Sequence, residues 1–284
     1  MDPSKDDLMN RRHFFQSVAR ITTATVAIPT IGACYGFAAS TNLKIDRQTL
    51  TLRNLPTNFQ GTTVAFVTDI HHGPFVSLEY VAGIVRTTMT LNPDLIVLGG
   101  DYSHRDSKYI APCFEVLKCL SAPLGVYGVL GNHDYMHGEQ LTRDCMKRAK
   151  ITELTNRGLW LTRQGERLRL SGVDDLWHGS PDLILALDDT RITDACLLIS
   201  HNPDYAETLK DRRVGLMLSG HTHGGQIVLP GYGAPITPSQ YGQKYTHGYV
   251  EAPATQVYVS AGTGLSILPV RFNCQPEITL ITLM

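Results

Sequence analysis

The sequence predicts an α/β fold with two β-sheets packed face to face and helices on the outside. In the first half of the chain, short β-branched apolar runs alternate with segments of helical spacing, as strands joined by helices do. A further set of strand-like runs fills the second half, so each half supplies a sheet. Most of these runs end in Asp, Asn or His, and α/β folds bind ligands beyond the carboxyl ends of their strands.

Taken in order, residues 50–52 read as a first strand. Residues 63–68 form a buried strand by composition and lead into Asp69-Ile70-His71-His72-Gly73-Pro74. Leu78, Val81, Ala82, Val85 and Met89 carry helical spacing, and Asn92-Pro93 ends that helix. A second strand over 94–98 runs into Gly99-Gly100-Asp101, and a helix covers about 110–121. The third strand, 125–130, ends in Gly131-Asn132-His133-Asp134, with a helix near 140–148. Residues 160–170 alternate around Gln164-Gly165-Glu166 and predict a hairpin. The apolar run 195–200 ends in His201, followed by Asn202-Pro203-Asp204. Residues 214–219 deliver Gly220-His221-Thr222-His223-Gly224-Gly225-Gln226. A Gly/Pro/Tyr-rich stretch, 230–249, reads as a long loop, and strands over 256–260 and 277–283 close the fold.

The histidine pair is the strongest single signal. In an extended segment, residues i and i+2 point the same way, so His221 and His223 can face one site. Neutral imidazole is the commonest transition-metal nitrogen ligand. Asp69, His71, Asp101, Asn132, His133 and His201 sit at the ends of other strands and can supply further ligands.

Composition narrows the class. The 284 residues are 43% hydrophobic and 18% charged, enough for one large domain with a full core. A formal net charge of -1 gives no global basic field to attract nucleic acid, and no specific protein partner is indicated. Cysteines stand at 34, 113, 119, 145, 196 and 274 without a CxxC pair. That spacing argues against zinc-ribbon and thioredoxin chemistry and for buried free thiols.

Residues 1–40 read as an address, leaving 41–284 as the folded domain. Asn10-Arg11-Arg12-His13-Phe14-Phe15-Gln16 precedes a moderately apolar run, 18–39, interrupted by Arg20 and Pro29. This resembles a bacterial twin-arginine export signal, although Asn10 and Gln16 depart from its commonest form. It implies the twin-arginine machinery as partner and a periplasmic location, or anchoring on the outer face of the inner membrane through residues 1–40. Ala38-Ala39-Ser40 offers a cleavage site, and Ile31-Gly32-Ala33-Cys34 resembles a lipoprotein box.

The ordered set Asp69-x-His71, Gly100-Asp101, Gly131-Asn132-His133-Asp134, His201 and Gly220-His221-x-His223 resembles the calcineurin-like metallophosphoesterase superfamily across residues 62–284. The resemblance implies a four-layer αββα sandwich of two mixed sheets. It further implies two divalent ions of manganese, iron, zinc or cobalt, since the ligands mix nitrogen and oxygen without sulfur. Asp101 occupies the family's bridging position, where one anion offsets the repulsion of two cations. By the same resemblance Asp69, His71 and His223 complete one ion, and Asn132, His201 and His221 the other. The implied reaction is hydrolysis of a phosphoester by a metal-activated hydroxide. His133 would be the general acid, with Asp134 to orient it or stabilise its protonated form.

Three features resemble an exported bacterial phosphodiesterase branch: the block from His201 to Asp204, Gly224-Gly225-Gln226, and Tyr258-Val259-Ser260-Ala261-Gly262-Thr263-Gly264. Two alternatives stay open. One is a lipid-linked UDP-sugar pyrophosphatase of the same chemistry, as in lipid A synthesis, acting at the inner membrane face. The other is a non-catalytic binding module on the same fold. His72, His104, His137, His178 and His247 read as structural, and Arg271 and loop 230–249 as places that can line the pocket.

Overall fold

The computed structural model of the protein describes residues 42–284; the expected export segment and Cys34 lie outside the described residues. These residues build two six-stranded sheets. The first holds β1 (Lys44–Leu50), β2 (Thr63–Val67), β3 (Leu95–Leu98), β4 (Val126–Gly128), β5 (Thr152–Glu153) and β12 (Glu277–Leu283), in the order β1-β12-β2-β3-β4-β5. The second holds β6 (Arg157–Arg163), β7 (Glu166–Gly172), β8 (Cys196–Ile199), β9 (Leu216–Ser219), β10 (Gly248–Glu251) and β11 (Gln256–Val259), in the order β10-β11-β9-β8-β7-β6. Both are mixed: β12 runs antiparallel to β2, and β6 and β10 run antiparallel to their neighbours at the edges of a parallel centre.

The period-2 alternation of each strand sorts its side chains into layers. Val64, Phe66, Leu95 and Val97 point inward from the first sheet and meet Leu197, Ile199, Leu216 and Leu218 of the second. Their neighbours Ala65, Val67, Ile96 and Leu98 face outward onto α1 (Leu78–Thr90), α2 (Ile110–Leu117) and α3 (Asn132–Arg148). On the far side Cys196, Leu198 and Met217 pack against α4 (Leu183–Leu187) and α5 (Tyr205–Thr208). The result is the expected four-layer αββα arrangement. Each fully buried aliphatic chain contributes about 1.5–3 kcal/mol, and the central strands are buried on both faces.

Local signals explain the helix ends. The Ser77 hydroxyl accepts the Tyr80 N–H at 3.2 Å and starts α1, which buries Val81, Ile84, Val85 and Thr88. Beyond it Asn92 takes a left-handed φ of 46° before Pro93. Other boundaries differ from expectation. The first strand lies at 44–50 rather than 50–52, and α3 begins at Asn132, well before 140. Its first turns are polar, and Gly138 interrupts it with φ 150°, so no apolar period marks them. Loop 230–249 contains a 3₁₀ turn and the start of β10. β12, from the second half, sits inside the first sheet.

Candidate metal centre

The loops after β2, β3, β4, β8 and β9 bring Asp69, His71, Asp101, Asn132, His201, His221 and His223 together. Backbone bonds extend the strand ladders into these loops. Asp69 N–H donates to Gly100, His71 N–H to Asp101 and Gly220 N–H to His201, each at 3.0 Å. Asp69, His71, Asp101, His221 and His223 all take left-handed φ, between 50° and 70°. Such a conformation costs an L-residue roughly 1–2 kcal/mol, and it turns each side chain sharply off the end of its strand. Two glycines leave room for the carboxylates: a Cβ on Gly220 would meet Asp69 and Thr68, and one on Gly131 would meet Asp101 and the His201 ring.

The donor atoms fall into two groups. In the first, His71 Nε2 lies 3.0 Å from His223 Nε2, which is 3.4 Å from Asp69 Oδ1. In the second, Asn132 Oδ1 lies 2.9 Å from His221 Nδ1 and 3.2 Å from His201 Nε2. One oxygen, Asp101 Oδ2, serves both: it is 3.4 Å from His71 Nε2 and 3.3 Å from His201 Nε2. Its partner Oδ1 accepts the His133 backbone N–H at 2.8 Å, which fixes the carboxylate. His201 Nδ1 lies 2.8 Å from the Gly99 carbonyl, so its Nε2 is the atom turned inward.

These residues fit divalent cations. An ion with bonds of about 2.1 Å spans ligand-to-ligand edges of about 3.0–3.4 Å; the donor pairs of the two groups lie 2.9–3.4 Å apart, except for a longer His71–Asp69 edge of 3.9 Å. Asp69, His71 and His223 could hold one ion, and His201 faces the Asp101 and Asp69 carboxylates. Charge agrees with geometry. Burial lowers the pKa of His71 and of His223 well below the ordinary imidazole value, keeping both neutral as ligands. Burial pushes Asp69 up to about 6. Burial also opposes a proton on His201, but the Asp101 carboxylate outweighs it and pushes that pKa up to about 10. With no cation in the pocket a proton on His201 offsets the Asp101 charge, and a bound metal ion would take that proton's place.

Asp134 corrects an expectation. Rather than facing the His133 ring, both its oxygens are taken by backbone. Oδ2 accepts the N–H groups of Asp101 at 2.8 Å and Gly131 at 2.9 Å, and Oδ1 accepts that of Tyr102 at 3.0 Å. It is wholly buried and tethers the β3 loop to the start of α3, so its role is to position Asp101. Burial, with the Asp101 charge, pushes its pKa up to about 7.

The actual neighbours of His133 are histidines. Its Nδ1 lies 3.2 Å from His104 Nδ1 and 3.4 Å from His137 Nε2, and its ring centroid is 4.7 Å from that of His71. His104 and His137, read as structural from sequence, thus border the site; burial pushes His104 down to about 4. His72 and His247 do turn elsewhere, to the Val76 carbonyl and the Glu277 carboxylate. Sequence reasoning also missed Trp177, whose ring meets that of His221 edge-on at 4.3 Å. Arg271, expected to line the pocket, is completely buried instead. It donates to the carbonyls of Ala261, Gly262, Gly264 and His223, strapping the last ligand loop to the segment behind Asp69.

The sequence profile of the calcineurin-like phosphoesterase family matches residues 62–225. The chain belongs to that family. Two relatives match almost end to end. An uncharacterized metallophosphoesterase of Bacillus subtilis (strain 168), YkuE, is 34% identical over 97% of this chain and 98% of its own length. Phosphodiesterase YaeI of Escherichia coli (strain K12) is 30% identical over 98% of this chain and 100% of its own. Among solved structures, TT1561 of Thermus thermophilus aligns with 71% of this chain and 89% of its own at a TM-score of 0.46 and 13% identity. As a metallophosphoesterase the chain is a member of a phosphoester hydrolase family, and its His/Asp clusters are those that could hold the metal.

Proposed function

We propose that the protein is a phosphodiesterase working with two divalent ions, one held by Asp69, His71 and His223, the other by Asn132, His201 and His221, with Asp101 between them. The observation that carries this reading is the single Asp101 oxygen within 3.4 Å of a ligand of each group. Bound ions supply positive charge to the phosphoryl oxygens and lower the pKa of a water between them. The chain's own residues do the rest. Asp101, fixed by the His133 N–H, keeps the two groups in register. His133, next to the ligand Asn132, lines the same cavity and donates a proton to the departing alkoxide. Its contact with His104 and His137 sets the ring's orientation.

A diester is favoured over a monoester because no Lys or Arg lines this cavity among the described residues. The singly charged diester needs less compensation than a doubly charged monoester. The name of the Escherichia coli relative supports the same class. The test is to chelate the purified protein, restore manganese, iron, zinc or cobalt singly, and assay nitrophenyl monoester, nitrophenyl diester and UDP-sugar pyrophosphate substrates. The expected result is metal-dependent turnover with the highest kcat/KM for the diester. A preference for the pyrophosphate would replace this reading by the sugar-nucleotide one, and full metal content without turnover would leave a binding module.

Location is part of the proposal. Arg11-Arg12 and the weakly apolar run after it support twin-arginine export to the periplasm or the outer face of the inner membrane. Among the described residues no helix is long and apolar enough to cross a membrane. Replacing both arginines by lysine is expected to retain the protein in the cytoplasm, read by fractionation. Unchanged export would remove the twin-arginine assignment.

A further inference from the structure

The metal centre opens into a cavity of about 280 Å³ whose walls change character away from the ligands. Asn132, His133, His221 and His223 form its floor. Beyond them stand Trp177, Ile227, Pro235, Ile236, Ile267 and Leu268. Two of these are largely open to solvent: Ile236 is 78% exposed and Ile267 73% exposed. Single exposed apolar residues are ordinary, but a contiguous apolar patch beside a functional centre marks a binding surface.

The patch is built, not incidental. Ile267 adopts φ 61°, a genuine outlier for a β-branched residue, and such strain persists only where surrounding structure imposes it. The Leu268 N–H donates to the Ser266 carbonyl at 2.6 Å and closes a tight turn over Ile267, and Gln226, which directly follows the two glycines after His223, clamps both flanks of that turn. Its Oε1 accepts the Ser266 N–H at 2.6 Å, its Nε2 donates to the Leu268 carbonyl at 3.3 Å, and its carbonyl accepts the Phe272 N–H at 2.8 Å. The loop that presents Ile267 and Leu268 is thereby bonded to the loop that presents His221 and His223.

From this continuity we infer that the substrate is an amphiphilic phosphodiester, with an uncharged alkyl or acyl chain on one ester arm lying along the shelf of Ile236, Ile267 and Leu268. The phosphoryl group occupies the floor and the chain runs outward past Trp177. A shelf without Lys or Arg has nothing to receive a second phosphate, so an arm that carries one is disfavoured. This inference rests on the phosphodiesterase reading and names its substrate class.

The experiment separates the two. Methyl-, butyl- and octylphosphonate, each below its critical micelle concentration, are titrated calorimetrically into the metal-loaded protein. Turnover of nitrophenyl methyl, butyl and octyl phosphodiesters is measured alongside. Affinity is expected to rise about threefold to fourfold per methylene until the shelf is filled, because each buried CH₂ contributes about 0.8 kcal/mol. In Ile236→Ser and Ile267→Ser, the octyl-to-methyl ratio is expected to fall toward one; a ratio taken within one preparation is independent of its folded or metal-loaded fraction. Absent binding, or affinity flat with chain length while the diesters still turn over, overturns the shelf and leaves the phosphodiesterase reading intact. Chain dependence in binding with no diester turnover supports the shelf as an alkyl site while removing the diester. A gain seen only above the micelle threshold or with phospholipid vesicles makes the patch a membrane-docking face and overturns the proposal.

Discussion

Asp101→Asn is expected to bind well under two metal ions per chain and to lose at least about 10³-fold in kcat. The substitution is nearly isosteric, and the carboxamide oxygen can still accept the His133 N–H now held at 2.8 Å. What changes is the other side. Asp101 Oδ2 faces His71 and His201 at 3.4 and 3.3 Å, and an amide there presents either a neutral oxygen or an NH₂ group. Neither offsets the mutual repulsion of two cations about 4 Å apart, which one unit of negative charge between them relieves. The fold should be nearly as stable as wild type, so elemental analysis and thermal melting are measured on the same sample. Two ions at full occupancy in a folded Asp101→Asn protein would end the bridging assignment.

His133→Gln is expected to keep its metals and lose roughly 10²–10⁴ in kcat, with the loss graded by leaving group. A nitrophenolate departs with little help, whereas an alkoxide needs a proton. The imidazole is well placed to give one: it lines the cavity, and its backbone N–H is anchored on Asp101. If His133 only positions the phosphate, nitrophenyl and alkyl leaving groups suffer equally. Comparing kcat for both diesters in wild type and variant, with metal content checked, decides between donation and positioning. An equal fold loss at full occupancy would leave His133 as a positioning residue.

Much of the site was legible because its residues stand where strand composition stops. Apolar runs ending in Asp69, Asp101, Asn132, His201 and His221 mark strand ends, and α/β topology places strand ends together. What lay hidden was set by neighbours distant in sequence. Asp134 reads like a catalytic partner because it follows His133, yet its carboxylate is taken up by three backbone N–H groups, two of them from the loop after β3, more than thirty residues away. His104 reads as one more structural histidine until α3 brings His133 against it. Arg271 reads as an exposed cation because backbone carbonyls, its partners, leave no trace in sequence. The first strand escapes detection for a similar reason. Lys44 to Leu50 is mostly polar, as suits an edge strand with a single neighbour, so its alternation is faint.

That single neighbour is β12, and the pairing bears on synthesis. β1 bonds only to β12, which also completes the antiparallel side of β2. On the ribosome, β2, β3 and β4 can assemble while β1 waits for residues 277–283. At about 5–20 residues per second that interval is on the order of ten to fifty seconds. Through it, the polar β1 and the open side of β2 are unpaired strand edges, the templates on which nascent chains cross-pair. Completion of the first sheet thus waits on synthesis of residues 277–283, and holding the nascent chain apart from its copies over that interval is the step on which yield of folded protein should depend.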